Sequence, residues 1–219
     1  MTRAQPGAGG TAARLAARGF EPLVVPMLEI RPLSQAAPDL SGIAALAFTS
    51  PNGVDAFTRL AGRPELPVFA VGDATARAAR AAGWTGVTSA SGAIEDLARL
   101  IADRGAGPVL APGAREPAGD LPGLLAGRVE VRRLAVYEAL ETRTPPPTDW
   151  DVVLVHSPRA GRAVAAALGV DGGRGRRAVA ISANAAAPLE RCGFGRLDVA
   201  AAPAEPAMLE ALGNPGPAV

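Results

Sequence analysis

The chain alternates short apolar runs with amphipathic stretches along most of its length. Each apolar run ends in a turn signal and reads as a buried strand of a parallel sheet, and each amphipathic stretch reads as a helix. The clearest example is LAFTSPNGV, residues 46–54. Here an apolar run stops at Ser50 and Pro51, and a helical pattern follows. The serine can cap that helix, and the proline suits its first position. VLVHSPRAG, residues 153–161, repeats the arrangement. VFAVGDATARAARAAGW (68–84) matches AVAISANAAAPLERCGF (178–194), and VPMLEIRP (25–32) loosely matches LAVYEALE (134–141). All three matches are spaced by about 110 residues, too long a period for a solenoid. The repeat predicts two similar domains facing each other, with a ligand cleft between them.

Taken in order, the pattern predicts helices over residues 10–18, 52–60, 73–82, 94–101, 120–125, 159–168, 183–192 and 207–212. In the fourth of these Ile94, Leu97, Leu100 and Ile101 share one face. Strands are predicted over 21–26, 43–49, 67–71, 86–90, 108–112, 129–134, 152–156, 178–181 and 196–201. Residues 27–33, bounded by prolines, read as an extended connector, 34–42 as a loop, and Pro145 to Pro147 as a linker edge. The tail GNPGPAV is expected to fray. A parallel sheet wants a strand before the first helix, yet only Met-Thr-Arg precedes the Gly-rich turn. That strand is either nearly missing or begins upstream. Strand and helix alternate throughout, so the fold class is α/β with parallel sheets.

Composition narrows the function. Basic and acidic residues nearly balance, 22 against 21, and no basic run occurs. That removes the broad electrostatic case for nucleic acid. Only 4% of residues are aromatic, too few for a single-strand stacking platform. One cysteine and one histidine argue against a disulfide framework and against a Cys- or His-based metal site. No apolar stretch is long enough to span a membrane and no signal-peptide pattern opens the chain, so a cytoplasmic location is expected.

In a parallel sheet, ligands sit beyond the carboxyl ends of the strands. The repeat-related strand ends are the turns at Ser50, Gly72, Ser157 and Ser182. Each offers free N–H groups at a helix start, which attract carboxylates or phosphates. Small residues there let a ligand approach the backbone. The same Ser, Asp and Gly residues also serve any α/β protein as plain helix caps. No phosphate-loop, dinucleotide or nucleophile-elbow motif is present. His156 adjoins Ser157, and neighbours at a strand end point to opposite faces, which argues against a serine triad. Tyr137, the single tyrosine, lies in the presumed connector. It could donate a proton in a cleft, or it could be a packing residue with a satisfied hydroxyl. Cys192 reads as core. Trp84 and Phe194 read as helix-end packing. Arg3 is either a carboxylate anchor or a solvated terminus.

At this point FTSPNGVDAF (48–57), VFAVGDATARAARAAGW, REPAGDLPGLL (115–125), LAVYEAL (134–140) and VLVHSPRAG together resemble uroporphyrinogen-III synthases. TRAQPGAGGTAARLAARGFEPLVVPMLEI (2–30) and PAEPAMLEAL (203–212) fit the same family, so the likeness covers essentially the whole chain. The resemblance implies two similar flavodoxin-like domains with parallel sheets, joined by a two-stranded connector, with a cleft between them. It places one discontinuous domain at 1–26 with 143–219, an inserted domain at 34–133, and connector strands at 27–33 and 134–142. It implies an enzyme, a cyclising lyase that closes hydroxymethylbilane with inversion of the last pyrrole ring and loss of water. That step serves haem, sirohaem and cobalamin biosynthesis, without metal or organic cofactor. The implied ligand is a small-molecule substrate, with a transient contact to the enzyme that makes hydroxymethylbilane as a candidate. A monomer is the default expectation, because no exposed apolar helix stands out in the sequence. No nucleic acid and no membrane are implied.

By motif match Tyr137 is the candidate proton donor. Ser50, Asn52, Gly53, Gly72, Asp73, Thr75, Ser157, Arg159, Ser182, Ala183 and Asn184 are the candidate substrate contacts. The sequence departs from the family pattern in three places. Ala185 stands where a threonine is common, which leaves the backbone of 182–184 as the contact. His156 replaces a usual threonine, and the first strand is short. A non-catalytic tetrapyrrole-binding homologue and a generic two-domain anion-binding enzyme are the competing readings.

Overall fold

The computed structural model describes residues 1–4, 7–90, 92–105, 107–142 and 144–215. The tail expected to fray lies outside them from residue 216 on, as does the domain limit at 143. The chain divides into two compact units: unit 1, Met1–Glu29 with Leu140–Val219, and unit 2, Ile30–Ala139. It crosses from one to the other on β1 (Leu28–Pro32) and again on β6 (Val131–Glu141), which are neighbours in one sheet.

That sheet is six-stranded. Besides β1 and β6 it contains β2 (Ala45–Phe48), β3 (Val68–Ala70), β4 (Val87–Ser89) and β5 (Val109–Ala114), in the order β1-β6-β5-β2-β3-β4. The pairs β2–β3, β3–β4, β2–β5 and β5–β6 are parallel. All four residues of β2 are buried because both sheet faces are covered. Leu46 and Phe48 pack on one face with Val54 and Phe57 of helix α2 (Pro51–Ala61) and with Trp84, beyond α3 (Asp73–Ala81). Ala45 and Ala47 pack on the other with Leu97 and Ile101 of α4 (Ile94–Asp103) and Leu121 of α5 (Leu121–Leu124). The two-residue alternation along a strand produces this split. The rings of Phe48 and Phe57 meet edge to face at 5.9 Å, those of Phe48 and Trp84 at 5.8 Å. Burying each such side chain contributes roughly 2–3 kcal/mol.

Unit 1 holds a parallel sheet of β7 (Val152–Val155), β8 (Arg177–Ala180) and β9 (Arg196–Val199). Val153 and Val155 face α6 (Pro158–Leu168), α7 (Ala183–Ala186) and the buried Cys192. Leu154 and Val179 face α1 (Gly7–Ala16) and α8 (Glu205–Leu212) through Leu15, Met208 and Leu209. Two extended segments continue this sheet laterally. Thr2 N–H donates to Leu154 O at 3.4 Å, Val25 N–H to Met1 O at 2.9 Å and Met27 N–H to Thr2 O at 3.1 Å. The lateral order is therefore 25–27, 1–2, β7, β8, β9, which along the chain reads 2-1-3-4-5. In unit 2, strands β6, β5, β2, β3 and β4 occupy the same lateral places, but the chain enters at β2, so the order reads 5-4-1-2-3. The arrangement repeats with a permuted start.

Three expectations need correction. The segment 21–26 is not a regular strand. Leu23 O and Val25 N–H bond Met1 and Pro26 O accepts from the Thr142 hydroxyl, but no regular ladder forms, and Leu23 and Val24 are exposed. The Gly-rich turn is helical, with α1 starting at Gly7 rather than residue 10. Ala8 is fully buried, and packing outweighs the glycine cost of about 1 kcal/mol per residue. The helix expected over 183–192 ends as α7 at Ala186, and Ala187–Cys192 is a 3-10 turn. Pro188 lacks the N–H needed to continue an α-helix and crowds the preceding turn.

Candidate functional site

Four strand ends carry the expected turns, and at three of them a serine caps the following helix. Ser50 and Ser157 are extended N-caps, with φ of −159° and −164°. Each hydroxyl accepts a bond at 3.1 Å, from Gly53 N–H and Ala160 N–H respectively. A proline follows each at the first helical position, where its missing N–H costs nothing. Ser182 accepts from Ala185 N–H at 3.4 Å, whereas Gly72 has no side chain to cap with. Burial runs identically, residue by residue, along 71–80 and 181–190, so the sequence repeat is also a packing repeat.

In unit 2 one of these ends, that of β2, meets a buried side chain of β6. The reversal of strand order falls between β2 and β5, the place where open α/β sheets bind ligands. The β5–β6 register shifts at Gly113/Ala114, pairing Gly113 with Ala135 but Ala114 with Tyr137. This bulge leaves Val136 and Tyr137 both buried although they are consecutive. The Tyr137 hydroxyl thereby comes within 3.0 Å of Ser50 Oγ. Burial raises its pKa above the ordinary phenol value, and the Ser50 bond offsets part of that rise. The phenol therefore holds its proton at neutral pH. Gly53 faces Pro112 O, which a Cβ at residue 53 would meet at 2.9 Å. Arg115 Nη1 bonds Glu138 Oε2 at 2.8 Å, and Arg115 N–H donates to Tyr137 O at 2.8 Å. This pair escaped the sequence reading, although Arg115 stands in a quoted motif.

Gly72, Asp73 and Thr75 lie at the end of the next strand, β3. Asp73 accepts a bond from Ser89 at 2.7 Å, and Thr75 is buried within α3. Asn52 is half-buried in the first turn of α2. In unit 1, Ser157 and the half-buried Arg159 follow β7, while Ser182 and the exposed Ala183 and Asn184 follow β8. His156 has both ring nitrogens buried and without a hydrogen-bond partner, so no Ser157–His156 pair exists. Its pKa is lowered to about 4, first by burial, then by the nearby Arg3, with Glu205 opposing.

Cavities do not decide the site. One of about 950 Å³ lies in unit 1, beside Trp150–Leu154, Arg177 and Leu212. It borders the entry ends of β7 and β8, the opposite ends from Ser157 and Ser182. In unit 2 a space of about 30 Å³ opens at Thr49, Pro112 and Gly113, room for a single water. The strand-end chemistry is the better guide.

Parallel sheets with repeated Ser-capped helix starts, and a buried tyrosine beside the order reversal, define an α/β protein whose distinctive polar groups lie at its strand ends. The model of the uroporphyrinogen-III synthase HemD family matches residues 10–210. The chain belongs to that family, and so to the cyclising lyases of porphyrin biosynthesis. Among solved structures it is similar to the uroporphyrinogen-III synthetase of Helicobacter pylori, at 19% identity and a TM-score of 0.66, covering 85% of this chain and 90% of that one. It is also similar to a mutant uroporphyrinogen III synthase of Thermus thermophilus, at 18% identity and a TM-score of 0.56, covering 97% of each chain. No curated protein sequence matches it. Among the described residues no helix is long and apolar enough to cross a membrane.

Proposed function

We propose that the chain converts hydroxymethylbilane to uroporphyrinogen III with Tyr137 as the proton donor. The observation that carries this is the Tyr137 hydroxyl, buried and 3.0 Å from Ser50 Oγ. Ser50 Oγ already accepts from Gly53 N–H, so its own proton is free to donate to the phenol oxygen. That leaves the phenol proton for the substrate.

As the C–O bond of the hydroxymethyl group breaks, Tyr137 gives its proton to the departing hydroxyl and water leaves. A pyrrole nitrogen lone pair supplies the electrons, so the cation is delocalised and a weak acid suffices. The substituted carbon of the last ring attacks that cation and forms a spiro centre. The older bond from that carbon to the bridging methylene of the preceding ring then breaks, leaving a second pyrrole-stabilised cation on the methylene. The ring's free carbon attacks it, and the proton of that carbon returns to the tyrosinate. The remaining task is to hold the chain in this folded form and against direct closure. Positioning of that kind can supply several kcal/mol. In unit 2 the amides of Asn52 and of residues 73–75 receive substrate carboxylates. In unit 1 we assign the same chemistry to Ser157, Arg159 and the backbone of 182–184. We read both units as flavodoxin-like, linked by the connectors at 27–33 and 134–142.

The test is product analysis. Hydroxymethylbilane is supplied, and the type I and type III isomers are separated. Type III above the enzyme-free blank is expected; type I alone overturns the reading.

A further inference from the structure

Unit 1 carries a charged cluster that the turns do not use. Thr2 bonds Leu154 O through its N–H at 3.4 Å and its hydroxyl at 2.8 Å. This brings Arg3 level with the end of β7, where His156 stands. Glu205, the first residue of α8, gathers three donors there. Arg14 reaches it at 2.7 Å and the Thr11 hydroxyl by a short bond. Arg3 Nη1 reaches it only at 3.4 Å, and lies 3.4 Å from Thr11 Oγ1 as well. Charge-assisted bonds of normal strength run to about 2.9 Å. Thr11 and Arg14 therefore satisfy the carboxylate, and Arg3 is the surplus cation. Beside it, both nitrogens of His156 are buried without a partner, an unusual state for a polar side chain.

We propose that Arg3, backed by His156, is an anion subsite of unit 1 that takes one carboxylate of the substrate. The identity of that substrate rests on the function proposed above. Arg3 gives up a weak contact when it turns to a ligand, and Arg14 keeps Glu205 compensated when it does. A guanidinium offers two parallel donors to a carboxylate, a geometry that lysine cannot copy. The neutral imidazole adds one N–H donor without adding charge. Glu205 sets the reach of the site by holding Arg3 loosely in the empty state.

Two measurements test this on the full chain. Thermal unfolding is followed with and without benzenehexacarboxylate, a compact polycarboxylate, and steady-state kinetics are measured on hydroxymethylbilane. Arg3→Gln is expected to reduce the rise in Tm clearly and to raise KM about tenfold with kcat within about twofold. Arg174→Gln removes the same charge from an exposed pair with Asp171 in the same unit, and is expected to behave as wild type in both. Arg3→Lys is expected to recover only part of the affinity, and it decides the matter if Arg3→Gln does not fold. A wild-type KM and a wild-type Tm rise in the Arg3 variants overturn the subsite. If wild-type enzyme yields only type I product, the proposed function fails, while the Tm experiment still judges the subsite.

Discussion

The hydroxyl of Tyr137 and that of Ser50 lie 3.0 Å apart, although 87 residues separate them in the chain. Ser50 Oγ also accepts from Gly53 N–H at 3.1 Å, so one oxygen ends a strand, caps a helix and orients the phenol. Replacing Tyr137 by phenylalanine keeps the ring in its packing place and removes only the proton donor. Type III formation is expected to fall about 100-fold, the low end of the range for a positioned acid, because the cation it helps to form is already stabilised. Circular dichroism should be unchanged. A rate within about threefold of wild type would show that Tyr137 is not the acid.

Ser50→Ala removes both bonds at once. Loss of the cap costs about 1 kcal/mol of stability, and Tyr137 loses its orienting partner. Ser157→Ala removes only the corresponding cap and should cost a similar amount in urea unfolding. The phenol contribution is read from kinetics: Ser50→Ala should depress kcat, and Ser50→Thr, which keeps the hydroxyl, should restore most of it. Equal kcat for the alanine and threonine variants would sever the link between Ser50 and Tyr137.

His156 makes stability depend on pH. Its folded pKa of about 4 lies below the value of 6.5 expected when unfolded. The unfolded chain therefore binds the extra proton first as pH falls. The contribution is fully present above about pH 6.5 and is lost as pH drops toward 4, reaching about 3 kcal/mol. The groups that set this pKa, besides burial, are Arg3, Arg14 and the Met1 amino group, which lower it, and Glu205, which raises it. Urea midpoints measured from pH 8 to 4 should fall more steeply for wild type than for His156→Gln. Parallel curves would exclude the histidine as the cause. For Glu205 burial raises the carboxyl pKa, but the bonds from Thr11 and Arg14 outweigh it and the net shift is downward. Its stability contribution is present above its unfolded value, is lost as pH falls below that value, and remains in the variant.

How much of this was legible in the sequence depends on range. The Ser-Pro turns at Ser50 and Ser157 were readable because cap, proline and apolar run are contiguous, and the structure places both as N-caps. The central strands were readable because both faces of the sheets are covered, which forces unbroken apolar runs. The position of Tyr137 against Ser50 was not, since it depends on a register shift between β5 and β6 that no local pattern encodes. The Arg115–Glu138 and Arg14–Glu205 pairs were hidden for the same reason: each joins segments distant in sequence. Segment 21–26 misled because its apolar residues suggest two covered faces, whereas Leu23 and Val24 stay exposed.

The two helix-start glycines test how tightly each turn is built. Glycine to alanine within a helix normally gains about 1 kcal/mol from propensity. At Gly161 the added Cβ would sit 2.4 Å from Ala185 O, and at Gly53 it would sit 2.9 Å from Pro112 O. Both neighbours are backbone oxygens, which cannot swing aside as a side chain can, and overpacking of this kind costs about 1–3 kcal/mol. The clash should outweigh the propensity gain at both positions, and by more at Gly161, where the approach is closer. Gly161→Ala should therefore lower the urea midpoint more than Gly53→Ala. Gly53→Ala should instead show itself in turnover, because moving α2 away from β5 carries Ser50 away from Tyr137. If Gly53→Ala proves more stable than wild type and equally active, the contact between the start of α2 and β5 is not what holds the phenol in place.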